Sequence, residues 1–226
     1  MVGGFCMFYQ VRIWKGLTTP YVSAHQLNKA EKYDGVWKWT TIFLLITLAL
    51  SGISAFLGIG SGQLSKLIYE TSPSEFQAAK GLFAVGQILQ SLLVTVILIF
   101  FSALVFWVFT DIEYRKLMVV QLFVICIHLI EKLIAIPLHF YFGLDNISSP
   151  FSLGVIAQYL TDYEILINFL GEISLFSIWT MILQYKFLRI ITEVSNRRLY
   201  ILIISINLFF WIFSALFTYI KFEVFL

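Results

Sequence analysis

The segment Leu92-Leu93-Val94-Thr95-Val96-Ile97-Leu98-Ile99-Phe100-Phe101 holds one polar side chain and shows no alternation of polar with apolar positions. A helix needs about 20 apolar residues to cross a hydrocarbon layer ~30 Å thick. Five stretches meet that length: residues 39–59, 82–110, 117–142, 163–185 and 199–220. Only helices and closed barrels satisfy their own backbone in lipid. Barrel strands alternate with period two, and these stretches do not. The sequence therefore predicts an all-α, polytopic membrane protein with five transmembrane helices. Composition excludes the other classes. The chain is 60% hydrophobic and 12% charged, against roughly 25% charged in a soluble domain. No single soluble core hides that much apolar surface. A soluble enzyme, a disordered chain and a disulfide scaffold all fall away.

Charge sets the orientation, because Lys and Arg concentrate on the cytoplasmic side. Arg12, Lys15, Lys29, Lys32 and Lys38 precede the first span. Arg115 and Lys116 sit between the second and third, and Lys186, Arg189, Arg197 and Arg198 between the fourth and fifth. Eleven basic residues thus lie on one side and three, Lys66, Lys80 and Lys221, on the other. The N-terminus is expected in the cytoplasm and the C-terminus outside. Residues 1–38 then form a cytoplasmic N-terminal arm, and residues 39–226 a single five-helix transmembrane domain. The expected location is the bacterial cytoplasmic membrane, with membrane lipids as the necessary partners. A net charge of +2 gives no basic face for nucleic acid. The first long apolar run starts too deep and runs too long for a cleavable signal. Cys6 and Cys126 are isolated and make no disulfide framework.

Local signals place some ends. Ser72-Pro73-Ser74-Glu75 is a capping box with proline at the first helical position, so the second helix should start at Pro73. Thr19-Pro20 opens a short amphipathic helix through Tyr33, with Val22, Ala24, Leu27 and Ala30 on its apolar side. Ser149-Pro150 opens another over residues 151–160, too short to span and so either interfacial or re-entrant. In the first span Ser51, Ala55, Ser54, Gly58 and then Gly62 form small-x-x-x-small rows that favour close helix approach, within the chain or between copies in a homo-oligomer.

Ionisable groups within a span cost at least ~2.5–3.5 kcal/mol and need a partner or water. The third span carries His128, Glu131, Lys132 and His139 around Pro137. The fourth carries Asn168 and Glu172, the fifth Asn207, and the second Gln87 and Gln90. Lys132 lies ~15 Å below the outer end of its span and Glu172 ~14 Å below the same boundary, counting 1.5 Å per residue. His128, Glu131, Lys132, Asn168 and Glu172 are therefore expected to form one buried polar network, with Lys132 facing Glu172. Such a network either fixes helix register or carries protons or ions. His128-x-x-Glu131 is too small a ligand set for a metal. No metalloprotease helix and no phosphate-binding loop is present. No catalytic, cofactor-binding or metal-ligating residue is assigned, and no enzymatic activity is expected.

The arm carries Leu17-Thr18-Thr19-Pro20 ahead of a short polar helix. Five close spans follow, the second ending in the basic turn Arg115-Lys116 and the last two joined by a basic loop. This order resembles the YIP (Ypt/Rab-interacting protein) domain family of five-span membrane proteins, in its bacterial YknW-like branch. The resemblance covers roughly residues 17–217. It implies a non-enzymatic accessory or assembly protein associated with an ABC transporter used for export, in toxin or envelope-stress defence. The Rab-binding role of eukaryotic relatives does not carry over to so short an arm.

Overall fold

The computed structural model describes residues 8–60, 73–144 and 148–219. Strand β1 (Phe8–Gln10) is followed by α1 (Ile13–Thr18), α2 (Pro20–Lys29) and strand β2 (Lys32–Asp34). Then come α3 (Val36–Phe56), α4 (Pro73–Phe109), α5 (Tyr114–Phe142), α6 (Gly154–Leu160), α7 (Glu164–Gly171), α8 (Leu175–Ile191) and α9 (Asn196–Tyr219). Among the described residues, α3, α4, α5 and α9 are long and apolar enough to cross a membrane. The all-α expectation holds for these helices, with one short strand pair added.

The short helix expected to run through Tyr33 stops at Lys29, because Tyr33 is taken into β2, while the expected start of the second long helix agrees. Helix α4 starts at Pro73, where a missing backbone N–H costs nothing; Ser72 of the expected capping box lies outside the described residues. At 37 residues α4 is ~55 Å long. Helix α5 runs unbroken through Pro137. At the end of α3, Gly58 takes φ +71°. Its N–H bonds to the Ala55 carbonyl at 3.1 Å, and that of Ile59 to Ser54 at 2.9 Å. Only glycine enters this left-handed cap cheaply. Gly58 therefore ends the helix and is not the packing position the small-residue row suggested. Gly62, next in that row, lies outside the described residues. Ser51, Ser54 and Ala55 are buried within the chain, as close packing inside the chain requires.

The chain divides into two compact units. The first takes in the described residues up to Leu44, with Thr95–His128 and Ile178–Leu208. Its centre is the first half of α5, where every residue from Leu117 to Ile125 is buried. A helix buried on all sides is a central one. The surrounding helices each offer a stripe at three-to-four spacing: Ile99, Ala103 and Phe106 of α4, Leu183 and Phe187 of α8, Leu199, Ile203 and Ile206 of α9. Phe123 stacks on Phe187 with ring centroids 5.0 Å apart. Gly16 of α1 lies so close to Phe123 that a Cβ there would overlap the ring.

The arm belongs to this unit. Strands β1 and β2 pair in parallel, Phe8 with Lys32, Tyr9 with Tyr33 and Gln10 with Asp34. Helices α1 and α2 make the crossover that a parallel pair requires. Ala24 and Leu27 of α2 are fully buried while Val22 is exposed. The apolar side of α2 thus packs inside the unit instead of lying on a membrane surface. Lys116 Nζ donates to the Asn28 carbonyl at 2.9 Å. The Tyr33 hydroxyl stands 2.9 Å from the Glu113 carboxylate and 2.8 Å from the Ala30 carbonyl. Burial first, then the Glu113 carboxylate, holds that phenol above its usual range.

The second unit takes in Leu45–Val94, Leu129–Ser177 and the described residues from Phe209 on. Its buried side chains are mostly small or hydroxylic: Thr47, Ser51, Ser54, Ala157, Ser174, Ser177. The largest fully buried side chains, including Phe106, Phe123 and Phe187, all belong to the first unit.

Candidate functional site

The fourth apolar stretch is where expectation and structure part. In place of one span over residues 163–185 there are two helices, α7 and α8, separated at Glu172–Ser174. The local chemistry explains the break. Gly171 is a poor helix former. Ser174 and Ser177 then start a new helix, each backbone N–H bonding the other's hydroxyl, at 2.8 and 3.0 Å. Reciprocal capping of this kind satisfies donors that a helix start leaves free.

The open backbone is completed by the segment ahead of α6. The Leu153 N–H donates to the Ile173 carbonyl and the Leu175 N–H to the Phe151 carbonyl, both at 3.0 Å. Ser152 and Ser174 form the bridge between them. Helix α6 follows with Gly154 and Ala157 buried. The 151–160 piece is thus a backbone partner of the helix break. Irregular backbone survives at membrane depth only when protein or water supplies its hydrogen bonds, and here protein does.

Glu172 sits at this break, as the C-cap of α7. Its carboxylate accepts a 2.6 Å hydrogen bond from Ser214 Oγ of α9. Asn168, one turn earlier, has a shielded Oδ1 without a hydrogen-bond partner among the described residues. Lys132 is half-buried on α5 and donates to Ser91 Oγ of α4 at 3.2 Å. Lys132 and Glu172 thus each bond a serine of another helix, Ser91 of α4 and Ser214 of α9. His128 and Glu131 are half-buried on α5, and His128 belongs to the first unit while Glu131, Lys132, Asn168 and Glu172 belong to the second. Among the described residues no three His, Cys, Asp or Glu side chains gather as metal ligands would.

A second cluster lies in the first unit. Gln184 Nε2 of α8 donates to Gln121 Oε1 of α5 at 3.3 Å. Asn207 Nδ2 of α9 reaches Gln184 Oε1 at 3.3 Å and the Ile203 carbonyl at 2.8 Å. Three helices are thus tied by one amide ladder. Gln121 and Gln184 are almost wholly buried, and Gln121 Nε2 has no partner among the described residues. Asn207 was visible in the sequence as a polar span residue, but Gln121 and Gln184 were missed. Depth counting finds them: Gln121 is seven residues into α5 and Gln184 seven before the end of α8, each ~10 Å from the same side.

The ladder makes a measurable claim. Interhelical hydrogen bonds in a membrane average about 0.6 kcal/mol and reach about 1.7. Gln184→Leu should therefore lower the unfolding midpoint slightly. The Gln121→Leu, Gln184→Leu pair should cost less than the sum of the two single changes, because neither amide is then orphaned. Strict additivity in a detergent-unfolding series would show that the two amides are not coupled.

Compared with known proteins, the chain matches no family model, no curated protein and no solved structure. The fold alone defines its class: an all-α protein with, among the described residues, four helices long and apolar enough to cross a membrane.

Proposed function

We propose that the chain is a five-crossing protein of the bacterial cytoplasmic membrane, N-terminus inside, acting as a non-enzymatic accessory or assembly partner of an ABC-type export complex. Helices α7 and α8 together make the fourth crossing. The eleven-to-three bias of basic residues supports the orientation, and the span order resembles the bacterial YIP-domain proteins. The observation that carries the reading is where the polar groups go. Gln121, Gln184 and Asn207 bond helix to helix, as do Lys132 with Ser91 and Glu172 with Ser214. Interior polarity spent on bonding helix to helix leaves apolar side chains exposed in each unit, Phe101, Trp107 and Ile201 in the first and Leu93 and Phe213 in the second, for lateral contact with lipid or another membrane protein.

One feature favours a second reading, a small proton- or ion-coupled carrier. Discontinuous helices recur at the substrate and ion sites of transporters, and Glu172 occupies such a break. One experiment separates the two. The tagged chain is solubilised in mild detergent, its companions are identified, and the pure protein is placed in liposomes. The accessory reading expects transporter subunits in the eluate and no proton or ion flux. Flux that disappears in Glu172→Gln, with no companion, replaces it by the carrier.

A further inference from the structure

We propose that a cavity at the start of α3 binds the headgroup of an anionic phospholipid carrying free hydroxyls, phosphatidylglycerol in type. The cavity measures about 610 Å³, within the roughly 300–1,000 Å³ of small-molecule sites. Three segments that are remote in sequence bring cations to it: Arg12 from the turn after β1, Lys38 from the first turn of α3, and Arg115 from the first turn of α5. All three are exposed. One carboxylate, Asp34, shares the lining. The site therefore carries net positive charge and one strong acceptor.

Its other wall is apolar. Trp37 and Phe100 line it, their rings 6.1 Å apart. Trp37 is 65% exposed. Phe100 lies nine residues before the end of α4 and is that helix's contribution to the wall. The Trp39 indole N–H donates to the Val11 carbonyl at 3.0 Å, which fixes a further aromatic in the lining. Cations and aromatic surface in one cavity match a lipid, with the phosphodiester by the cations and glycerol and upper acyl chain against Trp37 and Phe100. A free phosphate would leave that aromatic wall wet. Guanidinium groups pair with phosphate in a two-point fork. A choline headgroup would set a fourth cation among three. Asp34 repels a bare phosphate but accepts from a glycerol hydroxyl, which is why the hydroxylated headgroup is favoured. The inference stands on the cavity and holds with or without a protein partner.

The full chain in zwitterionic lipid is titrated with phosphatidylglycerol, and retained lipid is read by native mass spectrometry. The wild type should keep phosphatidylglycerol in preference to phosphatidylcholine. Replacing Arg12, Lys38 and Arg115 by glutamine should weaken retention by about tenfold or more, each cation near a membrane surface being worth about 1 kcal/mol toward anionic lipid. The same charge removed at Lys186, Arg197 and Arg198, outside the cavity, should leave it unchanged. Asp34→Asn should reduce the preference for phosphatidylglycerol over phosphatidic acid. If the triple variant does not fold, Lys38→Gln at its exposed position serves alone and should show a partial loss. Equal loss in the two triple variants, equal retention of phosphatidylcholine, or wild-type retention by Lys38→Gln overturns the proposal. Binding of deacylated glycerophosphoglycerol as tightly as the lipid overturns it as well, since the site would then be one for a soluble phosphate ester.

Discussion

Phe123→Ala should be the most damaging single truncation in the chain, at about 3–5 kcal/mol. Phe123 is fully buried, stacks on Phe187 at 5.0 Å, and closes against Gly16 on its other side. It joins three elements: α5 carries it, α8 supplies Phe187, and α1 supplies the glycine. Lipid tails are as apolar as leucine, so helices in a membrane associate through packing and hydrogen bonds more than by escape from water. The cost of the truncation is then the lost dispersion contacts and the cavity left behind. The check is a thermal or denaturing-detergent midpoint read by intrinsic fluorescence. A midpoint within error of wild type would mean that the first half of α5 is not the structural centre.

Gly16→Val should be nearly as harmful, and the sign of its milder version is the sharper test. Glycine inside a helix is worse than alanine by about 1 kcal/mol, so an unconstrained Gly16→Ala would stabilise α1. Here a Cβ would overlap a ring that is itself held by Phe187. Overpacking a filled site costs about 1–3 kcal/mol, which reverses the sign. Limited proteolysis reads the result: cleavage after Arg12 or Lys15 should rise sharply in Gly16→Val, with the longer helices still protected. Phe123→Leu in the Gly16→Ala background should recover part of the loss, since the two changes share one volume. Stabilisation by Gly16→Ala alone would show that α1 is not seated on α5.

The apolar runs made α3, α4, α5 and α9 legible, because length and unbroken apolarity are what a membrane demands and composition reports both. Pro73 marked its helix start for an equally local reason. The break at Glu172 was harder to read. A hydropathy window averages over Gly171 to Ser174 and sees one continuous stretch. The informative pattern is Ser174-x-x-Ser177, a reciprocal serine cap inside an otherwise apolar stretch. Three-residue strands such as β1 and β2 are too short to show a period, and their pairing depends on how α1 and α2 fold between them. The polar interior was half legible. Insertion cost ranks charges above amides and so points to Lys132 and Glu172 ahead of Gln121 and Gln184. The amides bond one another across helices, while the two charges each bond a serine of another helix.

The hydrogen bond from Lys116 to the Asn28 carbonyl spans 88 residues of sequence. Translation proceeds at roughly 5–20 residues per second, so about 4–18 s separate synthesis of the two partners. Through that interval β1, α1 and α2 have no α5 to rest on, and Tyr9, Val11, Ile13 and Leu27, all buried in the finished fold, lack the helix that covers the arm. The arm is thus made seconds before the helix that it bonds. Its exposure during synthesis is built into the topology.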